Sequence, residues 1–251
     1  MIPKLEPESR AIPYAMNTAD ALVSAYLKVS DPVGAQNCLA QILEAVPDFA
    51  ASADPVDQAR RWSLEGRIAE ASGDRVNAEA KRRQLVGLFN RMKPGGTVTR
   101  IAELIAADEA FQAKDLLASK AASLLAMEDA HPTDLVLAVL GLSRLQITLG
   151  DVERARKNCQ SLAERGYRDG LGDEIARVLA QCGDFETPLR ILPKDDLPIP
   201  YLLYHQAKAG DIQGAIRAGA ALNADISCLD LIGILLVGRL DRYEAIPTIR
   251  E

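Results

Sequence analysis

Long apolar stretches with helical spacing fill most of the chain, and short polar steps cut them at intervals. The clearest step is Gly150-Asp151-Val152-Glu153-Arg154-Ala155, between the apolar run Thr133 to Leu149 and the run Val152 to Arg165. Glycine has no Cβ, so Gly150 can take the left-handed backbone that ends a helix. Asp151 suits the next helix start, where its carboxylate can accept from free N–H groups. Ala155, four residues on, is small enough for the two helices to pack closely. The step predicts a helix–turn–helix hinge.

The step recurs as Ser30-Asp31 with Ala35, Gly73-Asp74 with Ala78, and Asp108-Glu109 with Ala113. After Gly150 it returns as Gly183-Asp184 with Pro188, Gly210-Asp211 with Ala215, and Leu240-Asp241 with Ala245. Successive hinge acids lie 43, 35, 42, 33, 27 and 30 residues apart. One hairpin per irregular period near this length predicts an all-α chain built as an α-solenoid of about seven hairpins.

Pro3, Pro7 and Pro13 mark residues 1–16 as an extended N-terminal segment. Residues 17–92 hold hairpins one and two, with a loop from Pro47 to Asp54 between them. Residues 98–251 hold hairpins three to seven, continuing one solenoid domain in which the break at Lys93 to Thr97 offers a flexing point between two halves. Thr133 reads as an N-cap for the fourth hairpin, whose first helix is apolar on nearly all sides and so predicts burial on more than one face. The last helix is short, so the apolar end of the solenoid around Leu231 to Val237 offers a surface for a partner, a second copy or a removed downstream domain.

Trp62, Gly66, Gly73, Asp74 and Ala78 follow the large-aromatic, small, turn, acid and alanine order of the tetratricopeptide repeat. Gly233 takes the small position in the last repeat, and Pro47 and Pro200 stand where that repeat ends in proline. From Asn17 onward the chain resembles this family. The resemblance implies a right-handed solenoid with a concave face lined by the first helix of each hairpin, a face commonly used to bind peptides. Carried over residue by residue, the positions seven before the hinge acid are Arg67, Arg144, Arg177 and Tyr204, with Ser24 and Ala102 interrupting the stripe. Arg60, Ser63 and Lys208 fall at other groove positions, and Val98, Ile105, Leu137, Leu140 and Ile147 form an apolar floor. Arginine rungs over such a floor would suit an acidic or amphipathic peptide.

Composition narrows the remaining chemistry. With 48% hydrophobic residues the chain is not disordered, and 4% aromatics suit close helix packing. A net charge of −6 argues against a nucleic-acid partner. His131 and His205 stand without a nucleophile motif or metal spacing. Cys38, Cys159, Cys182 and Cys228 form no CxxC and read as small hydrophobes. Lys93 to Thr97 lacks the phosphate-loop pattern, and Gly166 to Gly172 follows a helix and not a strand. No catalytic residue, metal or cofactor is expected. The N-terminus has no apolar core of a signal peptide, and the longest uncharged apolar run, Leu231 to Gly238, is too short to span a bilayer. The expectation is a cytoplasmic, non-enzymatic protein that binds a protein or peptide. The alternatives are a self-assembling structural protein, through the C-terminal end, and a regulatory or targeting part of a larger enzyme or of a secretion or signalling complex.

Overall fold

The computed structural model describes residues 8–108, 111–166, 171–191 and 197–221. All regular structure among them is helical, in thirteen helices. These are α1 (Glu8–Lys28), α2 (Pro32–Ala45), α3 (Pro47–Ala50), α4 (Pro55–Ala71), α5 (Arg75–Arg91), α6 (Gly96–Ala107) and α7 (Ala113–Leu125). They continue as α8 (Pro132–Thr148), α9 (Val152–Glu164), α10 (Gly172–Gln181), α11 (Glu186–Ile191), α12 (Ile199–Lys208) and α13 (Ile212–Ala221). The chain divides into two compact units, Met1–Ala113 and Lys114–Glu251. The division falls beside the start of α7, and not at Lys93 to Thr97, because α6 packs against α4 of the first unit.

The hinges take the backbone that the sequence predicts. Gly73, Gly150, Gly183 and Gly210 have φ of 79°, 78°, 76° and 105°, and Ser30 adopts 59° without glycine's freedom. At each of these steps the N–H of the hinge acid closes back onto the preceding helix: Asp31 to Tyr26, Asp74 to Ala69, Asp151 to Gln146, Asp184 to Leu179 and Asp211 to Gln206. Asp31, Asp74, Asp184 and Asp211 then accept from the N–H groups of Gly34, Asn77, Thr187 and Gly214. A Cβ added at Gly34 or Gly214 would run into the hinge carboxylate, so glycine there allows the close approach. Asp151 departs from the pattern. Its carboxylate makes no capping bond and pairs at 3.3 Å with Arg154, which also holds Asp115 at 2.8 Å.

The small residue four places past each acid does what its size predicts. Ala35, Ala78, Ala155 and Ala215 are completely buried, and Pro188 is buried too. Five hairpins pack internally, as α1 with α2, α4 with α5, α8 with α9, α10 with α11 and α12 with α13, whereas α6 packs on α4 and α5 in the first unit and α7 falls almost wholly in the second. Within the first unit, α4 lies beside both α1 and α6; within the second, α10 lies beside both α8 and α12. First helices of successive hairpins are therefore neighbours inside each unit. The core of the first unit includes Ala19, Val23, Ala35, Leu39, Leu64 and Ile68. In α8, Leu135, Val136, Ala138, Val139, Leu140 and Leu142 are all buried, which accounts for its nearly all-round apolar sequence.

Other boundaries correct the sequence reading. The N-terminal segment is not extended to residue 16: α1 begins at Glu8 and runs through Pro13. A proline in the second turn forfeits a helical hydrogen bond, and burial of Met16, Ala19 and Val23 further along anchors the helix. The loop from Pro47 contains α3, started by proline at its first position, with Phe49 buried and the Ala50 carbonyl accepting from Arg61. Thr133 lies inside α8 and is not its cap; His131 takes that position without a side-chain bond. Trp62, at the repeat's large-residue position, is partly exposed. The seventh hairpin, with Cys228, Gly233 and the apolar end from Leu231 to Val237, lies outside the described residues.

Candidate functional site

The first-helix face of the first unit is set by spacing. Asn17, Asp20 and Ser24 follow an i, i+3, i+7 pattern on α1, and Arg60, Ser63 and Arg67 follow the same pattern on α4. Each trio therefore lies along one stripe of its helix. Arg67 donates to Ser24 Oγ at 2.9 Å and to Asp20 Oδ1 at 3.1 Å. Arg60 donates to Asn17 Oδ1 at 3.3 Å. Ser24 and Arg67 each stand seven residues before their hinge acid, and Asn17 and Arg60 each stand fourteen before. Equivalent positions meet, so α1 and α4 run parallel in matched register. Ser24, which interrupts the arginine stripe in sequence, is the acceptor of the next hairpin's arginine. Ser63 and Arg60 border a small recess of about 130 Å³ with Met16, Phe49 and Leu104.

The second unit uses the same positions differently. Arg144 on α8 donates to Glu174 on α10. Arg177 on α10 meets Asp173 through Nε at 3.5 Å, and its guanidinium lies over the Tyr201 ring, 4.9 Å from the centroid. The Tyr201 hydroxyl accepts from Gln181 Nε2 at 2.8 Å. Tyr201, Tyr204 and Lys208 again follow i, i+3, i+7 along α12, with Lys208 Nζ 5.9 Å from the Tyr204 centroid. His205 packs against both rings, at 4.3 Å from Tyr201 and 5.3 Å from Tyr204. Burial, and secondarily the Lys208 charge, hold His205 below its ordinary value of 6.5. Arg177, Tyr201 and Tyr204 line an open hollow of about 340 Å³ with Pro198 and Pro200.

The expected apolar floor is largely core. Val98 and Ile105 are completely buried in α6 and Leu140 is 2% exposed in α8, so none of these three presents a surface. Val98 and Ile105 stand seven residues apart on one face of α6, and burial shows that this face turns inward. Leu137 is 46% exposed and Ile147 is partly exposed, so both remain open to a partner. Sequence reasoning passed over Tyr201 and the two prolines as site residues. The helical spacing of Tyr201 from Tyr204 was the signal that could have joined them.

The electrostatics of the rungs follow from these partners. Asp20, Glu174 and Asp173 already occupy Arg67, Arg144 and Arg177. These pairs are half-exposed and each contributes about 0–1 kcal/mol. An external carboxylate can therefore exchange with the internal one at small cost. Elsewhere, burial pushes the Cys159 thiol up to about 12 and the Cys182 thiol up to about 11, which keeps both protonated and poorly nucleophilic. Among the described residues no cluster of His, Cys, Asp and Glu could hold a metal ion. No described helix is long and apolar enough to cross a membrane. Comparison with known proteins finds no matching family model, curated protein or solved structure.

Proposed function

We propose that this chain is a non-enzymatic interaction module, a scaffold or adaptor of tetratricopeptide-like hairpins arranged as a right-handed solenoid. It binds a peptide segment of a partner protein on its first-helix face. In this proposal the module works in the cytoplasm. The observation that carries the reading is the open hollow beside α12, where Arg177, Tyr201 and Tyr204 converge from two neighbouring first helices. Aromatic side chains and arginine are the residue types that most often dominate binding energy at protein interfaces. Leu137, Arg144 and Ile147 on α8 extend the candidate surface along the second unit, and Arg60, Ser63 and Arg67 supply its counterpart in the first.

The test is a random-peptide display selection on the immobilised full chain, followed by affinity measurement of the enriched peptides. Peptides that bind the wild type and lose affinity on Arg144→Glu or Arg177→Glu, with unchanged helix content, support the reading. A selection that enriches nothing, or peptides indifferent to both charge reversals, would overturn it.

A further inference from the structure

We infer that the hollow beside α12 takes a proline-containing segment in the polyproline II conformation, with an acidic residue next to the prolines. The inference rests on the peptide-binding reading and names the class of peptide. Three features of the site lead to it.

The first is the lining. The aromatic rings of Tyr201 and Tyr204, with the apolar rings of Pro198 and Pro200, line an open hollow of about 340 Å³. Aromatic-lined surfaces of this kind take proline rings face to face, and the extended helix arrives already ordered, so little entropy is lost on docking.

The second is hydrogen bonding. A polyproline II segment has no internal hydrogen bonds, so its carbonyls need donors from the surface that receives it. Tyr201 accepts from Gln181 at 2.8 Å, which fixes the phenol while it keeps its own proton to donate.

The third is charge. Arg177 Nε stands 3.5 Å from Asp173 without a hydrogen bond, and its guanidinium lies over the Tyr201 ring at the hollow, where an incoming carboxylate can pair with it. Lys208 adds a second cation, its Nζ 5.9 Å from the Tyr204 ring centroid. The site therefore offers positive charge beside stacked rings, complementary to a proline next to Glu or Asp and repulsive to a basic proline motif.

The test is fluorescence anisotropy with the full chain and four labelled synthetic peptides. These are a proline-rich peptide flanked by Glu, the same peptide with Ala for Pro, the same with Lys for Glu, and a Glu/Leu amphipathic helix. The expected result is that the Glu-flanked proline peptide binds tightest. Its affinity should fall by about tenfold on Tyr204→Ala. It should also fall on Lys208→Glu, which reverses the charge beside the Tyr204 ring, and should survive Tyr204→Phe. Tighter binding of the amphipathic helix, lost on Tyr204→Ala, would overturn the inference while leaving the peptide-binding reading intact. Equal binding of the Ala-substituted peptide would likewise remove the proline requirement. If none of the four binds and display selection also enriches nothing, both readings fall.

Discussion

Asp151 and Asp184 open two second helices from the same hinge pattern, and the structure separates them sharply. Asp184 accepts from the Thr187 N–H at 3.0 Å, the Thr187 hydroxyl at 2.7 Å and Gln160 Nε2 at 2.7 Å. Thr187 is only 5% exposed, so its hydroxyl would have little water to turn to. Loss of a helix cap costs about 0.5–2 kcal/mol. Stranding the hydroxyl and amide partners adds about 1–2 kcal/mol. Asp184→Ala should thus destabilise the second unit by about 2–3 kcal/mol, or about 5–10 °C in Tm. Asp151→Ala loses no capping bond and one exposed pair with Arg154, a cost of about 0–1 kcal/mol. Acid provides an internal control. Burial pushes the Asp184 carboxyl up, but the bonds from Thr187 and Gln160 outweigh it and hold the group below its ordinary 3.8. Its contribution is therefore present above pH 3.8 and is lost as pH falls through the lower folded value. Urea unfolding followed by circular dichroism, with hydrogen exchange at α10 and α11, measures both variants. Equal losses from the two substitutions, or an Asp184→Ala deficit that persists undiminished to about pH 2, would refute the reasoning.

Ser30 holds φ of 59° where the other described hinges have glycine, so Ser30→Gly should stabilise the first unit by about 0.5–1 kcal/mol, read as a higher urea midpoint. His205 has a folded value below 6.5, so the unfolded chain takes up the proton first. Stability is full above pH 6.5 and is lost as pH falls through the folded value, and His205→Gln should flatten that slope in thermal melts. Cys159, completely buried and pushed up to about 12, should resist iodoacetamide in the native chain at about pH 8 and react once urea unfolds it, as mass spectrometry would show. Reversing the Arg67–Asp20 pair as Arg67→Asp with Asp20→Arg should recover stability lost in either single variant, within about 1 kcal/mol, in a double-mutant cycle.

The hinges were legible because their demands are local. A left-handed turn, an acid and a small residue four places on are needed within six positions, and only a few residue types meet each need. Thr187 and Arg154 show where local reading stops. Both stand three residues past a hinge acid, yet Thr187 donates its backbone N–H to the carboxylate as a cap requires, and Arg154 donates only from its guanidinium. The arginine in that position does signal a competitor, but its second partner, Asp115 on α7, is visible only once the chain has folded. The spacing of 43 residues to the second hinge had the same character: it announced extra chain without announcing α3. The candidate face was half legible for a related reason. Helical spacing places Arg60, Ser63 and Arg67 on one stripe, as it does Val98 and Ile105, and nothing in the spacing says which stripe meets water. Burial decides that for α6, and contact with the neighbouring helix decides it for α4. The matched pairs Arg67 with Ser24 and Arg60 with Asn17 carry the point further, since a gap in a sequence stripe became an acceptor when two helices met in register. Where first helices lie side by side, their side chains form rows that cross from one helix to the next. The row of Arg177, Tyr201 and Tyr204 belongs to no single repeat, which is why reading each repeat alone left Tyr201 out of it.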